Sequence, residues 1–240
     1  MSKVNSSLSF SDNSAQDESN SSPWVPLRRV VTQASTLLQT WSGSRCWCKP
    51  DQCALLLIDH QLGTIQLIKN ITSDQSIRNA ITLAKAALAF DMPIVMTSSQ
   101  EDHVQGPLHP WLERTAPAAF AKRVQRQGVV NAWDDANFSQ AVADTGRKQL
   151  IIAAVTTDIC LVFPAISAVE AGYEVQAVLD ASGSSFAIGE ETSRRRMERA
   201  GVWLTSTNTM VAELVGNWAT PQGMALVPFL AADPPMLAVY

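Results

Sequence analysis

From residue 54 onward, short apolar runs alternate with longer amphipathic stretches. The run at 54–58 (Ala-Leu-Leu-Leu-Ile) is continuous, as a strand covered on both faces must be. Ser73 or Asp74 can cap a helix carried by Ile77, Ile81, Ala84 and Leu88 at helical spacing, closed by Asp91-Met92-Pro93. Pro93 introduces a second strand at 94–97, and residues 101–118, rich in His, Pro and Gly, read as a loop. A short extended segment around Val129 and Val130 leads to Trp133. Asp134 or Asp135 caps a helix through Phe138, Ala141 and Val142, with Gly146 as its C-cap. The run at 150–155 (Leu-Ile-Ile-Ala-Ala-Val) is the plainest buried strand. After it come a helix at about 160–170 stopped by Gly172, a strand at 175–179 ending at Asp180, a charged helix at 190–200, a strand at 202–205 and a helix at 210–215. Strand–helix alternation of this kind predicts an α/β fold: a doubly wound, mostly parallel sheet with helices on both faces, in three layers.

The first 49 residues break this pattern. Residues 2–22 hold nine serines and almost no apolar side chains. Such a segment cannot bury enough surface to offset its ordering entropy, so residues 1–49 are expected to form a disordered or loosely ordered extension. Arg28-Arg29 hints at a twin-arginine signal, but the polar stretch after Val31 is no apolar core. Asp12, Asp17 and Glu18 count against an organelle transit peptide. The domain is expected over 50–218, followed by a C-terminal segment, 219–240.

Composition narrows the partners. The 240 residues are 46% hydrophobic and 17% charged with a formal charge of −4, so there is no basic stripe for nucleic acid. No stretch reaches the ~18–20 apolar residues of a membrane span. Four cysteines, three of them crowded at 46, 48 and 53, do not resemble a disulfide framework and point to a reducing, cytoplasmic compartment. Cys46, Cys48, Cys53 and His60 match no compact zinc spacing, so no metal is expected.

In open parallel sheets, sites gather at the carboxyl ends of the strands. Asp59, Cys160 and Asp180 stand there. An aspartate in such a place is often only a cap or turn residue, and a lone cysteine is often a small core hydrophobe. Cys160 gains interest from opening a helix, where the macrodipole and free N–H groups are expected to lower its pKa and to receive an oxyanion. A nucleophilic thiol needs a proton carrier. His60 should point away from its strand-end neighbour, which leaves Asp59 as the better candidate.

The segment at 54–61 (Ala-Leu-Leu-Leu-Ile-Asp-His-Gln) resembles the opening strand of the isochorismatase-like cysteine hydrolases, and 151–160 (Ile-Ile-Ala-Ala-Val-Thr-Thr-Asp-Ile-Cys) resembles their nucleophile elbow. Asn131-Ala-Trp133 and 180–183 (Asp-Ala-Ser-Gly) resemble one bacterial branch. The resemblance covers about residues 50–218. It implies an Asp–Lys–Cys triad with Asp59 and Cys160 in two places and Arg126 in the lysine place, Lys122 being the nearby alternative. Arginine holds its charge but cannot shuttle a proton, so its role would be electrostatic. The resemblance further implies a cis peptide at Val155–Thr156, with the Thr156 or Thr157 N–H turned toward the oxyanion.

The activity implied by the resemblance is hydrolysis of a small amide or related C–N bond through a thioester, with no cofactor. Gln61, Asn131, Trp133 and Phe163 are expected to line the substrate pocket. A homo-oligomer is implied, extending to octameric rings, with the helices around 163–171 and 210–215 as the buried surfaces. Relatives that cleave isochorismate lack the cysteine. Nicotinamidase-like relatives add zinc through an Asp-x-His pattern, which Asp102-His103 does not reproduce. Two rival readings stand beside this one: a catalytically idle oligomer on the same fold, and a nicotinamidase-like amidohydrolase.

Overall fold

The computed structural model describes residues 48–231. The expectations for the N-terminal extension and for Cys46 lie outside the described residues. In chain order the elements are β1 (Cys53–Ile58), α1 (Leu62–Ile65), α2 (Ser73–Ala89), β2 (Ile94–Ser99), α3 (Pro110–Thr115), α4 (Pro117–Ala121), β3 (Val124–Arg126) and α5 (Ala136–Ala143). They continue with β4 (Gln149–Ala154), α6 (Val162–Glu170), β5 (Glu174–Val178), α7 (Ala187–Arg199), β6 (Trp203–Thr205), α8 (Thr207–Val215) and α9 (Pro221–Leu226).

All six strands run parallel in the order β3-β2-β1-β4-β5-β6. The chain walks outward from β1 to β3, returns to the other side of β1, and walks outward again from β4 to β6. The winding direction therefore reverses between β1 and β4, where a crevice opens beyond the carboxyl ends.

Side chains of a strand alternate between faces, so even a wholly apolar strand feeds two separate cores. Cys53, Leu55 and Leu57 join the core built with Ile81, Met210 and Leu214 of α2 and α8. Ala54, Leu56 and Ile58 join the one built with Phe138, Ala165 and Met197 of α5, α6 and α7. A one-residue register slip would exchange the two sets.

Several elements differ from expectation. The 101–118 stretch holds α3 and the start of α4, because Pro110 and Pro117 occupy first-turn positions where a missing N–H costs nothing. The third strand lies at Val124–Arg126, and Val129 and Val130 are exposed. Thr72, rather than Ser73 or Asp74, caps α2, while Asp135 caps α5 through the Asn137 and Phe138 amides. Asp180 is used as a remote cap, accepting from the backbone N–H and hydroxyl of Thr207 at 2.8 Å each. Past residue 218 the chain still packs: Leu226 and Phe229 enter the first core.

The helices at 163–171 and 210–215 each commit one face to this chain's own cores. Val162, Ala165 and Ala168 of α6, and Met210, Val211 and Leu214 of α8, face the sheet. Their apolar positions recur every three to four residues, and that stripe is what a helix needs to cover a sheet.

Candidate active site

Three strand ends bring the site together. β1 closes with Ile58, and Asp59 follows in the left-handed region at φ 58°, an uncommon conformation for a residue with a Cβ. Its N–H donates to the Thr97 carbonyl at 3.0 Å, and its carbonyl accepts from the Gln61 N–H at 2.7 Å. The turn separates two neighbours. His60 Nε2 donates to the Ala181 carbonyl at 2.8 Å, away from the site, and burial pulls its pKa down to about 4. The Asp59 carboxylate meets Arg126.

Arg126 ends β3, in register with Ser99 of β2, and is only 1% exposed. Its guanidinium donates from each of its three nitrogens: Nε to Thr97 Oγ1 at 3.0 Å, Nη1 to the Val129 carbonyl at 2.6 Å, and Nη2 to the Asp59 carboxylate. Lys122 is exposed and takes no part.

Cys160 follows β4 inside a π-helical turn, Thr157–Leu161, so α6 begins only at Val162. The turn is organised by the Thr156 carbonyl, which accepts from the Cys160 N–H at 2.8 Å and the Leu161 N–H at 3.1 Å. The Val155–Thr156 peptide is cis. The thiol is hydrogen-bonded to the Asp59 carboxylate, and the Thr156 N–H faces the sulfur.

This arrangement reverses the expected direction of the Cys160 pKa. Burial pushes the thiol well above its ordinary value, and the Asp59 charge adds to the rise; Arg126 and the Thr156 N–H pull the other way without prevailing. A helix-end effect is weak here because the Cys160 amide is already spent on Thr156 and α6 starts further on. Asp59 is raised too, by burial, against the opposing pull of Arg126. Aspartate and thiol thus form a coupled pair that can share one proton, beside a fixed positive charge.

The expected oxyanion donors separate. The Thr157 N–H is spent on the Gly183 carbonyl at 2.7 Å, and Val155 donates to Ile58 from within the core. Thr156 alone presents its amide to the sulfur.

Asp59, Arg126 and Cys160 line a cavity of 470 Å³. Gln61 lines it as well, but its amide is fully used: Nε2 donates to the Ser99 carbonyl at 2.8 Å and to the Gly106 carbonyl, and Oε1 accepts from the Ser99 N–H at 2.9 Å. It braces β1 against β2 and the following loop. The other three expected pocket residues are not at the cavity. Asn131 binds Asp134, Ser167 and the Trp133 amide. Trp133 sets its ring edgewise against Phe138 and Tyr173, and Phe163 lies under the Arg196 guanidinium. The wall consists instead of Gly63, Thr64, Gln100, Gln105 and Gly128, with Leu67, Val104, Val129, Val130 and Ile159 as an apolar remainder. One signal was local: a Cβ on Gly63 would stand 1.9 Å from the Val104 carbonyl oxygen, so only glycine lets that loop close over α1. Among the described residues, no three His, Cys, Asp or Glu side chains converge in a way that could hold a metal.

Comparison with known proteins places this geometry. Residues 53–209 match the isochorismatase domain. The chain is 39% identical over 168 residues to the probable hydrolase YcaC of Escherichia coli, spanning 70% of this chain and 80% of that protein. A structure of YcaC from Pseudomonas aeruginosa with hexane-2,5-diol and covalent acrylamide matches with a TM-score of 0.74 and 36% identity, covering 78% of this chain and 93% of that one. The E. coli YcaC structure, described as an octameric hydrolase of unknown specificity, matches with a TM-score of 0.74 and 36% identity over 78% and 92% of the two chains.

Proposed function

The chain belongs to the isochorismatase family and is a hydrolase; within that family we propose that it is a cysteine hydrolase of small amides or related C–N bonds. The observation that carries this reading is the contact of a half-buried thiol with a buried carboxylate, itself paired to a buried guanidinium, at one cavity wall. Cys160 is the one cysteine among the described residues that lines the cavity; Cys48 and Cys53 are buried elsewhere. The covalent acrylamide of the Pseudomonas relative adds support, since acrylamide couples a carboxamide to a thiol-reactive alkene.

The proposed reaction runs in two halves. As Cys160 Sγ bonds to the substrate carbonyl carbon, its proton passes to Asp59 and the C=O π pair moves onto oxygen, facing the Thr156 N–H. The tetrahedral species collapses, the C–N bond breaks, and Asp59 returns the proton to the departing nitrogen, leaving a thioester. Water then adds to the thioester carbonyl while Asp59 takes its proton. The C–S bond breaks, and the proton goes back to sulfur. A raised Asp59 pKa suits this work, because it narrows the gap between base and thiol. Arg126 moves no proton; it favours the ionised form of Asp59 against the effect of burial and holds the carboxylate in place. A thiol catalyst must stay reduced, which fits a cytoplasmic setting.

The test is rapid quench of the full chain with a panel of small amides, read by intact mass. Free amine is expected together with an acyl adduct on Cys160. Amide hydrolysis that survives Cys160→Ala overturns the reading. A Cys160 that alkylates while no amide of the panel releases amine favours an idle protein on this fold.

We also assign this chain a homo-oligomeric state, supported by the octamer described for the E. coli relative. Exposed apolar side chains remain to be covered, among them Phe186, Ile188, Trp203 and Met224. Sedimentation at micromolar concentration should give a species several times the 26.0 kDa chain mass; a monomer would sink the assignment.

A further inference from the structure

Thr97 stands where three strands of the site meet. It lies in β2, is fully buried, and pairs in register with Ile58 of β1 on one side and Val124 of β3 on the other. Val95, two residues earlier and so on the same face of the strand, belongs to the apolar core with Leu56 and Ile58. A threonine beside it puts a hydroxyl among apolar neighbours, which costs free energy unless the hydroxyl is bonded.

The hydroxyl is bonded twice. It donates to the Val124 carbonyl at 2.7 Å and accepts from Arg126 Nε at 3.0 Å. Its single proton is spent on Val124, so it meets Arg126 with a lone pair and its polarity is fixed. Branching at Cβ leaves χ1 little freedom, so its direction is fixed too. The backbone of the same residue holds the other half of the ion pair. The Thr97 carbonyl accepts from the Asp59 N–H at 3.0 Å, at the turn where φ is 58°. Arg126 Nη2 then reaches the Asp59 carboxylate, which closes a ring from Thr97 through Asp59 and Arg126 back to Thr97.

We propose that Thr97 is a positioning residue that keeps the Arg126 guanidinium on the Asp59 carboxylate beside Cys160. The inference rests on the reading of Asp59, Arg126 and Cys160 as the reactive group, and it adds what sets their geometry. Thr97 does not line the cavity, so it acts through its two neighbours. The Asp59 carboxylate is faced by Arg126 from β3 and by Cys160 from the π-helical turn; His60, next in the chain, turns its ring to the Ala181 carbonyl. Arg126 pulls the titration of both Asp59 and Cys160 downward. A guanidinium without its Nε acceptor can swing off the carboxylate, and both groups then titrate higher.

The experiment follows iodoacetamide labelling of Cys160 against pH in the full chain, read by mass on the peptide that holds Cys160. The variants are Thr97→Val, Thr97→Ser and Arg126→Met. Thr97→Val keeps the β-branch and removes the acceptor; Thr97→Ser keeps the hydroxyl and removes a methyl. Thr97→Val should raise the labelling midpoint by about half a pH unit or more, roughly a threefold lower rate at a fixed pH below it, in the direction of Arg126→Met. Thr97→Ser should keep the midpoint close to that of the wild type although it melts lower, since a buried methyl is lost. A residue that served only packing would leave the midpoint in place in both variants. Should Thr97→Val not fold, Thr97→Ala is judged against Thr97→Ser, because both lack the methyl and only the second has the hydroxyl. A midpoint in Thr97→Val, or in Thr97→Ala, no higher than that of Thr97→Ser overturns the proposal. An Arg126→Met midpoint equal to that of the wild type overturns instead the reading of the ion pair as acting on the thiol, which separates the two failures.

Discussion

Asp59→Asn is expected to lower turnover by about 10²–10⁴-fold, the usual worth of a positioned proton carrier, and at the same time to move the titration of the Cys160 thiol downward. The two effects have one origin. The carboxylate takes the thiol proton during attack, and in the resting protein its negative charge helps hold that proton on sulfur. An asparagine cannot accept the proton and carries no charge, so catalysis falls while the thiolate becomes easier to form. Thiolate absorbance and the rate of iodoacetamide labelling, both measured against pH, check the second effect. A residue that only supported the fold would lower activity without lowering the thiol midpoint. A midpoint that stays put or rises would remove Asp59 from contact with the sulfur. In the wild-type chain the same pair shapes the pH profile. Activity is lost toward acid as Asp59 becomes protonated, above the ordinary carboxylate range because burial raises it. It is lost toward alkali when the shared proton leaves and none remains for the departing nitrogen, above the ordinary thiol value. Labelling near pH 6 is accordingly expected to be slow, the reverse of what a helix-end thiolate would give.

Arg126→Met should lower turnover by about an order of magnitude or more and also cost stability, since breaking a buried pair while leaving one partner costs about 3–5 kcal/mol. With the guanidinium gone, only the Cys160 hydrogen bond still opposes burial and the Asp59 pKa rises further; the thiol loses a stabilising charge and rises as well. A carboxyl whose folded pKa lies above its unfolded value contributes stability below the unfolded pKa and loses it as pH rises through the folded one. The melting deficit of this variant should therefore shrink on acidification and grow toward neutral pH. Arg126→Lys separates charge from geometry. It retains a cation beside Asp59, so the acid limb should stay near the wild-type position. An ammonium cannot hold Thr97 Oγ1, the Val129 carbonyl and Asp59 together, and Val129 lines the cavity. Its KM should rise by more than its kcat falls. Lys122→Met, an exposed change away from the cavity, serves as the control. If Arg126→Met shows the wild-type acid limb and labelling profile, Arg126 does not act on the pair by charge.

The alternation of apolar runs with helical spacing was enough to read an α/β parallel sheet, because burial on one face leaves a repeat along the chain itself. Asp59 and Cys160 were legible for a related reason: each comes shortly after a buried run, and strand ends are where such sheets open. Arg126 had no such mark. It ends a three-residue edge strand that pattern reading placed several residues late, and only the family resemblance singled it out. Two prolines in the 101–118 stretch read as breakers, although at a first helical turn the same residue starts a helix. Asn131, Trp133 and Phe163 were expected in the pocket because they lie near the motifs in sequence, whereas the wall is assembled from separate segments around residues 63, 104, 129 and 159. The direction of the Cys160 pKa depended most on the tertiary structure. A helix-end argument uses only near neighbours along the chain, but desolvation and the Asp59 charge reach the sulfur across the sheet. Periodicity along a chain records which side of an element is buried; the strength of a charge or a proton depends on which groups from distant segments surround it, and the packed fold brings those groups together.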